Sequence, residues 1–132
     1  MNEPILMLID DEYGVRESIK MVFAKQYRLL EADSVEAAMP MVQESRPDVI
    51  LLDVMMPRTD GLEMLQRIKE IHAGCEVIML TGVNSAQLAE KAKDFGACDF
   101  IGKPFDVVDL RDKVARAFEL VAQRSSPSSP TT

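Results

Sequence analysis

Residues 49–53 read Val-Ile-Leu-Leu-Asp: four apolar side chains in unbroken succession, closed by a carboxylate. An apolar run this short, with no alternation, suits a strand buried on both faces, as in a parallel sheet with helices on either side. Working outward, Ile5–Ile9 and Val77–Leu80 have the same character. Tyr27–Leu30, interrupted by Arg28, and Phe100–Ile101 are shorter and weaker, as edge strands can be.

Between these runs the spacing changes to that of helices. Val15, Ile19, Val22 and Phe23 form one stripe, and Leu62, Leu65, Ile68 and Ile71 a second. Val107, Leu110, Val114, Ala117, Phe118 and Val121 form a third. The Ala- and Lys-rich stretch from Ala86 to Phe95 reads as a less firmly packed helix. Asp33 with Glu36 predicts a capping-box start for the second helix, and Pro40 predicts a kink within it. The order βαβαβαβαβα implies a doubly wound α/β domain with right-handed crossovers.

Bulk properties narrow the function classes. A chain of 132 residues fits one domain with a real core. Its net charge of −7, from 22 acidic and 15 basic residues, argues against nucleic acid or an anionic membrane as direct partner. Cys75 and Cys98 have neither metal-ligand spacing nor a disulfide framework, which predicts reduced thiols in a cytoplasmic protein. The apolar run at the N-terminus is too short for a signal peptide or a membrane span. Residues 1–123 are expected to form the domain. Residues 124–132, rich in Ser and Pro, read as a linker or disordered tail.

In an open α/β sheet, ligands bind beyond the carboxyl ends of the strands, where strand order reverses. Asp10 and Asp11 follow the first strand and Asp53 ends the third. If those strands are neighbours, three carboxylates converge, and their repulsion calls for a cation. Hard oxygen donors with room for water suit Mg²⁺. Thr81, followed by Gly82, ends the fourth strand, and Lys103, followed by Pro104, ends the fifth. A carboxylate nucleophile faced by a cation, an ammonium and a hydroxyl is what an incoming phosphoryl group requires. A lone strand-end Asp, Lys or Thr would mean only a cap or a solvated loop. Five such residues on one edge weigh against that bland reading.

The chain resembles the receiver domains of two-component response regulators from Ile5 to about Ala122. The matching pieces are Ile-Asp-Asp at 9–11, Leu-Leu-Asp-Val-Met-Met-Pro-Arg-Thr-Asp-Gly at 51–61, Leu-Thr-Gly at 80–82 and Asp-Phe-Ile-Gly-Lys-Pro-Phe at 99–105. The resemblance implies a flavodoxin-like (βα)5 fold with a five-stranded parallel sheet in the order 2-1-3-4-5. It implies that Asp53 accepts a phosphoryl group from the phosphohistidine of a histidine kinase or histidine phosphotransfer protein. Asp11 and Asp53 would ligate Mg²⁺ by carboxylate, Met55 by its main-chain carbonyl, and Asp10 mainly through water. Lys103 would pair with Asp53 and then the phosphate. Thr81 would swing its hydroxyl onto the phosphate, and Phe100 would turn inward as the switch aromatic. The Lys103–Pro104 bond matches one that is usually cis in the family. The output would be a domain in cis or a partner protein, and a homodimer on phosphorylation is compatible with the resemblance.

Other residues invite a role and are assigned a bland one. His72, the only histidine, is expected on the solvated surface. Met56 reads as a core gap-filler, Met55 as facing the pocket mouth, and Cys98 as an inert, partly buried thiol. A Mg²⁺-dependent phosphatase of similar architecture is disfavoured because Met55, not an acid, lies two residues after Asp53. A flavodoxin-like cofactor binder is disfavoured because Asp10–Asp11–Glu12 would repel a phosphate. A degenerate receiver that signals without phosphate is disfavoured because all five pocket residues are present. The protein is expected to be a signalling switch with self-catalysed phosphoryl transfer and autodephosphorylation, not an enzyme with external turnover.

Overall fold

The structure is a computed structural model that describes residues 3–82 and 86–125, the side chains of residues 86, 89 and 125 apart. The unbroken apolar runs become the three central strands. These are β1 (Ile5–Ile9), β3 (Val49–Asp53) and β4 (Glu76–Thr81), flanked by β2 (Arg28–Ala32) and β5 (Ala97–Gly102). All neighbours pair in parallel, in the order β2-β1-β3-β4-β5. The helices are α1 (Tyr13–Phe23), α2 (Val35–Ser45), α3 (Gly61–Ile71), α4 (Ala86–Asp94) and α5 (Val107–Ser125).

Successive residues of a strand point to opposite faces, so each buried strand feeds two cores. Leu6, Leu8, Val49, Leu51, Ile78 and Leu80 pack with Ile19 and Phe23 of α1 and Leu110, Val114 and Ala117 of α5. Met7, Ile9, Ile50, Leu52, Val77 and Met79 pack on the other side with Val42 of α2 and Leu65 and Ile68 of α3. In α4, Ala92 is the only buried side chain among those described, which matches its thin apolar content.

Several boundaries differ from the sequence expectation. Strand β2 starts at Arg28 and runs on to Ala32, because Tyr27 leaves the ladder to stack on Phe118 of α5 at 4.2 Å between ring centroids. Strand β5 is longer than Phe100–Ile101, and its pairing with β4 slips by one residue near Cys98. That irregularity breaks the simple pattern by which a strand is recognised. The cap of α2 is Ser34, whose side chain accepts from the Ala37 N–H at 3.1 Å, and not Asp33. Starting there places Val35, Ala38 and Val42 toward the core. The helix continues through Pro40. Helix α5 reaches Ser125, two residues into the segment read as a tail, and Arg124 bonds Glu76 and the Gly74 carbonyl. Residues 126–132 lie outside the described residues. No helix among the described residues is long and apolar enough to cross a membrane.

Candidate functional site at the carboxyl edge of the sheet

The chain adds β2 on one side of β1 and β3 on the other, so the order reverses between β1 and β3. Register then decides which side chains meet. Ile9 pairs with Leu52, which sets Asp10 level with Asp53, and Asp53 itself pairs with Leu80. Thr81 pairs with Gly102, one residue before Lys103. Asp10, Asp53 and Thr81 are almost wholly buried, at 1%, 2% and 3% exposure, while Asp11 is exposed. Carboxylate oxygens of Asp10, Asp11 and Asp53 lie within 4.8 Å of one another.

Each buried carboxylate is held by main chain. Asp10 Oδ1 accepts from the Glu12 N–H at 2.9 Å, and Asp53 Oδ1 accepts from the Met55 N–H at 2.8 Å. Lys103 supplies the opposing charge. Its Nζ lies 2.8 Å from Asp10 Oδ2 and 3.4 Å from both Asp53 Oδ2 and Glu12 Oε1. The lysine expected to pair with Asp53 thus sits closer to Asp10. Burial opposes its charge, but the bond to Asp10 and the attraction of Asp53 outweigh that and hold its pKa above the ordinary 10.5. The peptide bond from Lys103 to Pro104 is cis. The Lys103 N–H donates to the Thr81 carbonyl at 2.7 Å, which ties the last two strand ends together.

Burial raises the Asp53 carboxyl above its ordinary 3.8; the Met55 N–H opposes this, Asp10 adds repulsion and Lys103 opposes again. A raised carboxyl pKa means that the folded chain holds the proton more tightly than the unfolded one. Asp53 therefore favours folding below the ordinary carboxyl range, and that contribution is lost as pH rises through the raised value. At neutral pH without metal, Asp53→Asn is expected to unfold at a higher temperature than wild type. A gain of about 1 kcal/mol would move the midpoint by about 3–5 °C in a domain of this size. Thermal unfolding in a chelating buffer is the check, and an unchanged or lower midpoint would contradict the electrostatic account.

The loop from Asp53 to α3 is shaped by one contact. A Cβ on Gly61 would meet Val54 Cβ at 2.7 Å, so only glycine lets the helix start this close to the strand end. Asp60 caps α3, accepting from the Leu62 and Glu63 N–H groups, and Arg58 takes a left-handed φ of 60°.

The remaining sequence candidates fall into place around this edge. Met56 is buried in the core, and Met55 is 53% exposed beside Asp53. Phe100 is half-buried, with Lys113 Nζ donating to its carbonyl at 3.0 Å and lying 5.8 Å from its ring centroid. A Cβ on Gly82 would meet nothing within 4 Å, so there is room beside Thr81. Burial pushes the Cys75 thiol up to about 11 and the Cys98 thiol up to about 12, as befits unreactive thiols. His72 corrects the expectation of a solvated surface role. Its Nε2 lies 2.8 Å from the Pro47 carbonyl, and its buried Nδ1 has no partner among the described residues. Burial lowers its pKa, so the neutral ring with a proton on Nε2 fits this position, where it ties the end of α3 to the approach to β3.

The sequence pointed to Glu12 only as part of the acidic run Asp10–Asp11–Glu12, and not to Arg16 at all. Glu12 joins the Lys103 charge cluster, and Arg16 bonds the Asp10 carbonyl at 2.7 Å. The available signal for Arg16 was a cation next to Val15 on an otherwise apolar helix face.

The family model for the response regulator receiver domain matches residues 6–115. The chain belongs to the response-regulator receiver family. The receiver is 37% identical to sporulation initiation phosphotransferase F of Bacillus subtilis over 121 residues, covering 91% of this chain and 97% of that protein. It is 31% identical to the chemotaxis protein CheY of Halobacterium salinarum, covering 83% and 92%. It also matches longer regulators, such as regulatory protein AtoC of Escherichia coli, at 31% identity over 90% of this chain but 26% of that protein. Among solved structures, the receiver domain of NtrX from Brucella abortus is 29% identical with a TM-score of 0.81, covering 86% of this chain and 98% of that one. A CheY-like receiver from Methanospirillum hungatei superposes with a TM-score of 0.88 at 21% identity, covering 94% and 100%, and shows the shared fold. The receiver's general function is that of its family, a phosphorylation switch in two-component and phosphorelay signalling.

Proposed function

We propose that the receiver takes a phosphoryl group on Asp53 from the phosphohistidine of a histidine kinase or histidine phosphotransfer protein, in a Mg²⁺-dependent reaction. The observation that carries this reading is the convergence of Asp10, Asp11 and Asp53 on one sheet edge with Lys103 set among them. Three hard carboxylates fit Mg²⁺, with Asp11, Asp53 and the Met55 carbonyl as direct donors. When bound, the ion neutralises charge on the transferring phosphoryl oxygens. An oxygen of Asp53 attacks phosphorus, the bond to the histidine nitrogen breaks, and an acyl phosphate forms. The Met55 N–H keeps the attacking carboxylate in one plane. Lys103 is near enough to move from the carboxylates to a phosphoryl oxygen.

Thr81 and Phe100 are proposed to pass the change on. Met79 pairs with Phe100 and Thr81 with Gly102, so Thr81 and Phe100 share one face of the sheet, diagonally adjacent on neighbouring strands. A Thr81 hydroxyl drawn toward the phosphate vacates space beside that ring. The readout surface is then α4, β5 and α5, with the sparsely buried α4 as its most easily shifted element. Adding beryllofluoride, which mimics the phosphoryl group, is expected to shift the amide resonances of Thr81, Phe100 and α4 together. Shifts that left residues 82–105 untouched would remove this switch. Output goes to a domain in cis or to a separate partner protein.

Phosphoryl lifetime depends on how well a water can be held in line with phosphorus. Met55, exposed beside Asp53, cannot orient one by hydrogen bonding; Val83, the other flanking position, lies outside the described residues. Met55→Asn with Val83→Glu is expected to speed autodephosphorylation roughly tenfold, or about 1.4 kcal/mol of barrier. Phosphate release after removal of the donor measures it, and a double variant as slow as wild type would contradict control by these side chains.

A further inference from the structure

We infer that Arg16 is a positioning residue for the metal-binding carboxylates, acting through the main-chain carbonyl of Asp10; this rests on the Mg²⁺ reading of the site. Helical side chains lean toward the N-terminus of their helix, so Arg16 in α1 covers the turn that leads out of β1. Its Nη1 donates to the Asp10 carbonyl at 2.7 Å and its Nε to Glu31 Oε1 at 2.8 Å. The side chain is only 12% exposed. Glu31 is itself fixed from the edge strand β2, where it pairs in register with Leu8, and its other oxygen takes Lys20.

The peptide unit joining Asp10 to Asp11 is planar, so the direction of the Asp10 carbonyl sets where Asp11 begins. Asp10 is held on both sides: its N–H, in the preceding peptide unit, and its C=O, in this one. The Asp10 N–H donates to the Ala32 carbonyl at 3.1 Å, and its C=O is held by Arg16. Asp10 is also buried, so packing adds to its hold. Asp11 is exposed and gains nothing from packing. Its carboxylate is aimed at the cluster by the backbone around it, which the Asp10 carboxylate holds at the Glu12 N–H and Arg16 holds at the Asp10 carbonyl.

The sign of the effect separates positioning from mere charge. A guanidinium near a cation site repels the cation, so loss of its charge alone would tighten Mg²⁺ binding. Loss of positioning would weaken it. Titration calorimetry with Mg²⁺ on Arg16→Gln is expected to give binding about tenfold weaker than wild type, the scale of effect usual for groups that orient metal ligands. Arg16→Lys should not restore it, because one ammonium cannot span both acceptors as the planar fork does. Glu31→Gln keeps the Arg16 charge but loosens its anchor, frees Lys20 and removes an anion, so it should weaken binding by a smaller factor, with the Asp11 amide resonance telling lost positioning from lost charge. It also carries the test if Arg16→Gln does not fold. In metal-free protein, the Asp11 amide resonance should move in both variants. Wild-type protein that bound no Mg²⁺ would overturn the metal site and this role with it. Wild-type binding with unchanged or tighter binding in folded Arg16→Gln or Glu31→Gln would leave the metal site standing and overturn the role of Arg16.

Discussion

Asp11→Ala is expected to weaken Mg²⁺ binding by about 100-fold or more, a larger loss than the 10- to 100-fold typical of removing a mere orienting partner. The reason lies in how the three carboxylates are already engaged. Both oxygens of Asp10 are taken, one by the Glu12 N–H and one by Lys103, which leaves water as its route to an ion. Asp53 has one oxygen on the Met55 N–H. Asp11 has no such donor among the described residues, so its carboxylate would meet a cation with the least competition. A ligand that binds only the folded state stabilises it, by about 2.7 kcal/mol at 100 times its Kd. Excess Mg²⁺ should therefore raise the unfolding midpoint of wild type and hardly move that of Asp11→Ala. Calorimetric titration gives the affinity directly, and unchanged binding in Asp11→Ala would remove Asp11 from the ligand set. The same cation would offset the repulsion between Asp10 and Asp53. Mg²⁺ should thus erase much of the stability difference expected between wild type and Asp53→Asn.

The central sheet was legible because Ile5–Ile9, Val49–Leu52 and Val77–Leu80 need no partner to declare themselves. Burial on both faces leaves one composition, and the structure places all three strands where that composition puts them. The site followed from the same logic, since polar residues that directly terminate such strands are delivered to one edge. What failed to read was whatever depends on contacts between distant segments. The ends of β2 were hidden because Tyr27 is recruited by Phe118, some 90 positions away in the chain. The slip at Cys98 disguised β5. Asp33 and Ser34 are both good caps, and only the packing of Val35 decides between them. His72 looked like a surface residue because the carbonyl it binds, that of Pro47, lies 25 positions away in the connection before β3. The Lys103–Asp10 pair and the bridge from Arg16 to Glu31 are likewise tertiary facts, invisible to spacing along the chain.

The second large effect is on phosphorylation itself. Among the site's polar groups, Asp53 is the carboxylate that ends β3, is buried beside Asp10, and faces Lys103 while its plane is fixed by main chain. Asp10 is already committed to the lysine and Asp11 is exposed, so neither offers an equivalent nucleophile. An amide at position 53 keeps the shape and removes the attacking charge, which should abolish transfer and not merely slow it. The most direct measurement is intact-mass spectrometry after incubation with acetyl phosphate and Mg²⁺. The account predicts one phosphoryl group on wild type, none on Asp53→Asn, and none on wild type when the metal is chelated. An undiminished adduct in Asp53→Asn, or no adduct on folded wild type with Mg²⁺ present, would contradict it.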